Sequence, residues 1–150
     1  MKIIKKTLIV ALVAFVLIQF YRPEKNNAEY RNVAAFEAKT QVTPEIKTIL
    51  EQKCYDCHSD KTDYPWYAEV SPFSLMIADH VEDGMKHLNF SKWDSYNDKK
   101  KDHKLDEVIE EVEEGKMPED GYALIHGDLS PEEKEAIMNW GRKARANLDL

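Results

Sequence analysis

Apolar residues along this chain form one uninterrupted run near the start and several sets with helical spacing further on. The run covers residues 8–18. After it, apolar residues recur at intervals of three and four, which places them on one face of an α-helix. No stretch alternates apolar and polar residues as a half-buried strand would. The pattern therefore predicts an all-α fold.

Four helices are predicted after the run, and start or stop signals mark them. Thr43 and Ser130 each precede a proline and an acidic residue, the sequence of an N-cap and a first helical turn. A second helix is predicted after Ser71, and a third over residues 105–112 with Gly115 just past its end. We expect long connections between these helices.

Residues 1–22 have the layout of an export signal, because lysines precede the apolar run and aromatic residues follow it. No small residues provide a cleavage site, so we expect an uncleaved membrane helix that anchors the chain in the inner membrane. Its basic end would stay in the cytoplasm and place the following residues in the periplasm. We expect a polar tether over 23–42 and the folded domain over 43–150. A cleaved signal with an unusual site is the alternative.

The composition is that of one small globular domain. The chain has 150 residues, of which 43% are hydrophobic and 33% charged, and its net charge is −7. The part that follows the export signal is more acidic still, since the signal contributes only positive charge. An acidic surface is unsuited to phosphate backbones, so we expect no nucleic-acid partner. The presence of only two cysteines excludes a scaffold of several disulfides.

The two cysteines belong to the segment Cys54-Tyr55-Asp56-Cys57-His58, which has the c-type haem attachment pattern. Sulfurs three positions apart on one helical turn can reach the two vinyl groups of a haem, and the adjacent histidine can ligate its iron. Three other interpretations of the cysteine pair fit less well. A thioredoxin-like dithiol would need a βαβ context, and a zinc site would need more ligands. A structural disulfide would leave His58 unexplained. The segment therefore predicts haem c attached through Cys54 and Cys57, with His58 as the proximal ligand.

The sixth iron ligand is predicted to be Met117, which lies in the loop after the third helix. Its thioether suits an axial position that raises the reduction potential. His80 and His87 are the alternatives, because both fall on nearly the same face of the second helix. An open or water-bound position is the third possibility. His103 and His126 lie in polar segments and are expected to be surface residues.

Several motifs together resemble class I c-type cytochromes and, more narrowly, a family of small exported bacterial haem-binding domains. The resemblance rests on the C-Y-D-C-H-S-D segment, the K-M-P loop, the L-S-P-E-E-K start of the last helix, and the aromatic residues Tyr64, Trp66, Tyr67 and Trp93. It covers about residues 40–147. It implies a cytochrome c-like bundle around one haem in the cell envelope, with Trp140 packed where the first and last helices cross.

Electron transfer is the function that these features favour. We expect a membrane-tethered periplasmic carrier that cycles between Fe(III) and Fe(II) and exchanges electrons with a redox partner protein in the envelope. A peroxidase-like enzyme is one alternative, and it would need an open distal site with an acid–base group such as His80 or His87. A haem-based sensor for a small ligand is the other. A cluster of lysines at positions 99–101 and 104 is either a docking site for an acidic partner or a solvated surface.

Overall fold

The computed structural model describes residues 2–148, which form eight α-helices and no strand. In chain order they are α1 (Lys2–Ile18), α2 (Ala34–Lys39), α3 (Pro44–Lys53), α4 (Tyr55–His58), α5 (Phe73–His87), α6 (Asp98–Glu113), α7 (Asp120–His126) and α8 (Pro131–Ala146). Two 3₁₀ turns, Trp66–Glu69 and Phe90–Ser95, lie on either side of α5. The all-α prediction is confirmed for these residues. The helix α7 was not predicted, because it is too short to show a helical period. The helical turn expected for the haem attachment segment is α4, and α2 lies within the segment predicted as a tether.

Side chains cap the helices at the predicted starts. The Thr43 hydroxyl accepts a hydrogen bond from a backbone N–H in the first turn of α3 at 3.3 Å. At α8, Ser130 Oγ accepts from Glu133 N at 3.2 Å, and the Glu133 carboxylate accepts from Ser130 N at 2.7 Å, which is a complete capping box. The helix α6 begins earlier than predicted, because the Asn97 side chain caps a polar first turn that carries no apolar signal.

The core lies between α2, α3, α6, α8 and the second 3₁₀ turn. The helices α6 and α8 approach closely, since a Cβ atom at Gly141 would lie 2.9 Å from Ile109 Cγ1. Trp140 of α8 is buried edge-on against Phe36 of α2, and its Nε1 donates to the Thr40 carbonyl at 3.0 Å. The last helix is thereby joined to the segment that precedes α3.

The segment 23–42, predicted as a tether, is packed against the domain. Phe36 is completely buried and contacts the rings of Phe90 and Trp93 at centroid distances of 4.3 and 5.1 Å. The predicted boundary at residue 43 therefore falls inside the packed unit. The sequence signal was weak, because Val33 and Phe36, the buried apolar residues of this segment, are too few to show a helical period.

The N-terminal helix α1 is exposed along its length. Just after it, the Gln19 side chain donates to the Ser71 carbonyl at 3.1 Å and accepts from the Ser71 N–H at 3.0 Å. Among residues 2–148, no helix is both long enough and apolar enough to cross a membrane. Met1, part of the predicted anchor, and residues 149–150, part of the predicted domain, lie outside the described residues.

Candidate haem-binding site

The haem attachment segment lies where α3 ends and α4 begins. Cys54 is the C-cap residue of α3, and its N–H donates to the Leu50 carbonyl at 2.9 Å. The single turn of α4 then carries Cys57 and His58, and the His58 N–H donates to the Cys54 carbonyl at 3.0 Å. This turn holds the two sulfurs and the imidazole at positions i, i+3 and i+4, which share one face of a helix.

The His58 imidazole is oriented for ligation by a backbone carbonyl. Its Nδ1 lies 3.0 Å from the Leu88 oxygen, just after α5. A neutral imidazole donates from Nδ1 to that oxygen and keeps the lone pair of Nε2 for a metal, which is the usual way that metal-bound histidines are held. Burial lowers the pKa of His58 and so favours this neutral form. The imidazole is thus prepared to bind iron through Nε2.

Both cysteines are free thiols, and burial keeps them protonated. It raises the pKa of Cys54 to about 12 and that of Cys57 to about 11. A dithiol that works in disulfide exchange needs the opposite shift, because the thiolate is the reactive species. Among the described residues, no group of three or more histidine, cysteine or acidic side chains is placed to hold a bare metal ion. The raised thiol pKa values oppose the redox-dithiol alternative.

Two cavities meet at His58. The first, called here the α5 cavity, has a volume of about 1290 Å³ including its open mouth and is bordered by Cys57 and residues of α5 and α7. The second, the α6 cavity, has about 960 Å³, again including its open mouth, and is bordered by Cys54 and apolar residues of α3, α6 and α8. His58 and Met117 border both. The space, the apolar walls, the two thiols and the free imidazole nitrogen fit a haem, which is a large flat group with a central metal.

A glycine brings α5 against the attachment segment. A Cβ atom at Gly84 would lie 2.7 Å from the Cys57 carbonyl oxygen and 3.1 Å from Cys57 Cβ. Only a residue without a side chain permits this approach. The contact also brings the end of α5, and with it the Leu88 carbonyl, within reach of His58.

Met117 reaches the same junction as His58 because its loop folds back onto the end of α6. The backbone N–H groups of Lys116 and Met117 both donate to the Glu111 carbonyl, at 2.9 and 3.1 Å. Gly115 makes the turn with a φ of 70°, a conformation that favours glycine. The location of Met117 is compatible with the predicted sixth ligand, which stays a prediction.

The two alternative ligands occupy different positions. His80 borders the α5 cavity, and its Nδ1 lies 3.0 Å from a carboxylate oxygen of Glu119. His87 borders both cavities, and its Nδ1 lies 3.0 Å from the Asp83 carbonyl. Of these two histidines, His87 is therefore the one that shares the junction with His58 and Met117.

His126 is exposed, as expected, but it also belongs to the wall of a cavity. His126 borders the α5 cavity, where its Nε2 lies 2.5 Å from the Tyr67 hydroxyl and its ring stacks on Tyr122 at a centroid distance of 4.3 Å. Tyr122 and His126 are four residues apart on α7, so recognising that helix would have placed them on one face. His103 is exposed on α6, as expected.

The fold and the site together define a haem-binding protein of the all-α class. The sequence comparison agrees: a family model described as the haem-binding domain matches residues 13–143, and the chain belongs to this family. The match includes the segment 23–42, which the structure packs into the same unit. No curated protein and no solved structure matches the chain.

Proposed function

We propose that this protein holds one haem c through Cys54 and Cys57, in a cytochrome c-like arrangement, and transfers electrons in the cell envelope. The observation that carries the proposal is the His58 imidazole, whose Nδ1 is held by the Leu88 carbonyl and whose ring stands where the two cavities meet. Bound haem would supply a one-electron Fe(III)/Fe(II) couple at this point.

The chain's own residues would hold the group and control its surroundings. His58 would donate the Nε2 lone pair to the iron, and the Leu88 carbonyl would keep the imidazole in the required tautomer. Apolar residues of the α6 cavity would limit the access of water to the haem, which favours the less charged Fe(II) state. Met117 would provide a thioether ligand, which also favours Fe(II). None of these roles requires the making or breaking of a substrate bond, so we propose that the protein is not an enzyme.

One observation favours a peroxidase-like alternative. The contact between His80 and Glu119 places an imidazole with a carboxylate partner on the wall of the α5 cavity, where it could move protons. This function requires an open iron position beside His80. Rapid carbon monoxide binding to the reduced protein would support the alternative, and a haem whose two axial positions are both occupied by protein would exclude it.

We propose that α1 takes the chain to the cell envelope and holds it at the inner membrane, with the domain in the periplasm. The exposed apolar side chains of α1 and the lysines at its start support this location. A redox partner protein in the envelope would then exchange electrons with the haem.

Covalent attachment is the first step to test. The full chain, expressed with a cytochrome c maturation system, should keep its haem through acid–acetone extraction and give the pyridine haemochrome spectrum of two thioether bonds. Replacing Cys54 or Cys57 by alanine should move this spectrum towards that of a single thioether, and replacing both should release the haem. The His103→Ala variant is the control, since His103 is exposed on α6 and should not affect attachment. Extraction of the haem from the unaltered protein would contradict the proposal.

A further inference from the structure

The residues just before α2 form a strap over the loop that follows the haem attachment segment. Within residues 26–31, called here the strap, the Asn26 amide donates to the Ser59 carbonyl at 2.8 Å and to Thr62 Oγ1 at 3.0 Å. Thr62 N in turn donates to the Asn26 carbonyl at 3.0 Å, and Asn27 pairs with Lys61 in an isolated antiparallel bridge. The strap thus fixes a loop that begins directly after the C-x-x-C-H segment.

Arg31 ends the strap and directs its guanidinium at the attachment segment itself. One terminal nitrogen lies 2.7 Å from Asp56 Oδ1 and 3.3 Å from Asp63 Oδ2. The same group donates to the Lys61 carbonyl from two nitrogens, at 3.0 and 3.2 Å. The side chain of Arg31 is 17% exposed and that of Asp56 is 25% exposed, so water screens this pair only partly.

Asp56 stands between the two cysteines and borders the α5 cavity. Its carboxylate is held by Arg31 and by the Asp63 N–H, which donates to Oδ1 at 3.0 Å. A negative charge at this position stabilises Fe(III) relative to Fe(II), because the oxidised iron carries one more positive charge. The adjacent guanidinium opposes this effect. The potential of a haem attached here would therefore depend on the balance between the two groups.

We propose that Arg31 is a positioning residue for the haem segment: it holds the Asp56 carboxylate and offsets its charge, and so helps to set the reduction potential. The inference rests on the proposed attachment of haem at Cys54 and Cys57. It gives the strap a role in tuning the iron as well as in folding.

Charge variants of the full-length haem protein test this role through the midpoint potential, measured by spectroelectrochemical titration. Arg31→Gln should lower the potential, because the Asp56 carboxylate is left without its partner, and Asp56→Asn should raise it. Each change should alter the Fe(II)/Fe(III) ratio at a fixed solution potential severalfold. The midpoint potential of the double variant should be close to that of the unaltered protein. The potential of Arg31→Lys should be lowered less than that of Arg31→Gln, because lysine keeps the positive charge.

Asn26→Ala is the matched control, because it removes strap hydrogen bonds without changing charge. We expect it to lower the thermal unfolding temperature while leaving the potential nearly unchanged. If Arg31→Gln gives no haem protein, the rise for Asp56→Asn still tests the proposal. Shifts of Arg31→Gln and Asp56→Asn in the same direction, or no rise for Asp56→Asn, would overturn it. Absence of covalent haem in the unaltered protein would instead refute the proposed function.

Discussion

At the scale of single residues, the site depends on which side chains reach the junction of the two cavities. His58 comes from α4, His87 from the end of α5, and Met117 from the loop after α6. They are separated along the chain by 29 residues or more. Their proximity is what makes a haem with two protein ligands possible here.

Met117→Ala tests the identity of the sixth ligand. If Met117 binds iron, the oxidised protein should show the weak near-infrared band of thioether ligation, and the variant should lose it. Its potential should also fall, and its reduced iron should bind carbon monoxide. His80→Ala and His87→Ala are the controls and should keep the band. If the reduced iron binds carbon monoxide in His87→Ala, and Met117→Ala leaves the spectrum unchanged, the sixth ligand is His87.

At the scale of secondary structure, the contact between α4 and α5 determines the position of His58. The helix α5 comes close enough to offer the Leu88 carbonyl because residue 84 has no side chain. The capping box of α8 and the side-chain N-caps of α3 and α6 stabilise these helices locally. The α4–α5 contact is therefore the helix packing that most directly shapes the site.

Gly84→Ala should disrupt this packing. The new methyl group would meet the Cys57 carbonyl, a backbone atom that cannot rotate away, and we expect a loss of about 1–3 kcal/mol in the free energy of unfolding. The yield of attached haem should fall as well. Denaturant unfolding of the haem protein and the haem-to-protein ratio measure the two effects.

Gly121→Ala is the matched control for that substitution. It lies in α7, and a Cβ atom there would have no neighbour within 4 Å. Alanine in a helix should leave stability unchanged or raise it by up to about 1 kcal/mol. Equal destabilisation by the two alanines would show that the close approach at Gly84 is unimportant.

At the scale of the whole molecule, the segment that leads out of α1 joins the N-terminal helix to the haem domain. Gln19 forms hydrogen bonds with Ser71, and the strap covers the loop that follows the haem attachment segment. Phe36 is buried in the core. The segment after α1 is thus part of the domain. An attachment of α1 to the membrane would also hold the haem domain close to the membrane surface.

The proposed location predicts that the mature protein keeps α1 and sediments with the inner membrane. Fractionation of cells, followed by N-terminal sequencing, measures both properties. A variant with lysine in place of Val10 and Val13 should lose membrane association, because charges oppose insertion into lipid. The exposed charge-neutral change Thr7→Ser is the control. Mature protein that begins near Arg22 and stays in the soluble periplasmic fraction would show that the segment is a cleaved signal.

The sequence by itself determined the features that depend on neighbouring residues. Thr43 and Ser130 mark helix starts through hydrogen bonds within four residues, and the C-x-x-C-H segment needs one helical turn to form. The all-α class follows from the period of the apolar residues. These signals are short-range, so they can be recognised without knowing the fold.

Only the tertiary structure decided which distant residues complete the site. The Leu88 carbonyl at His58, the contact of the Tyr67 hydroxyl with His126 and the Arg31–Asp56 pair all join segments whose sequences carry no common pattern. Phe36 is buried for the same reason, since its neighbours in the core come from distant helices. Burial and hydrogen bonding between such segments depend on the packing of the whole chain, and no local periodicity encodes that packing.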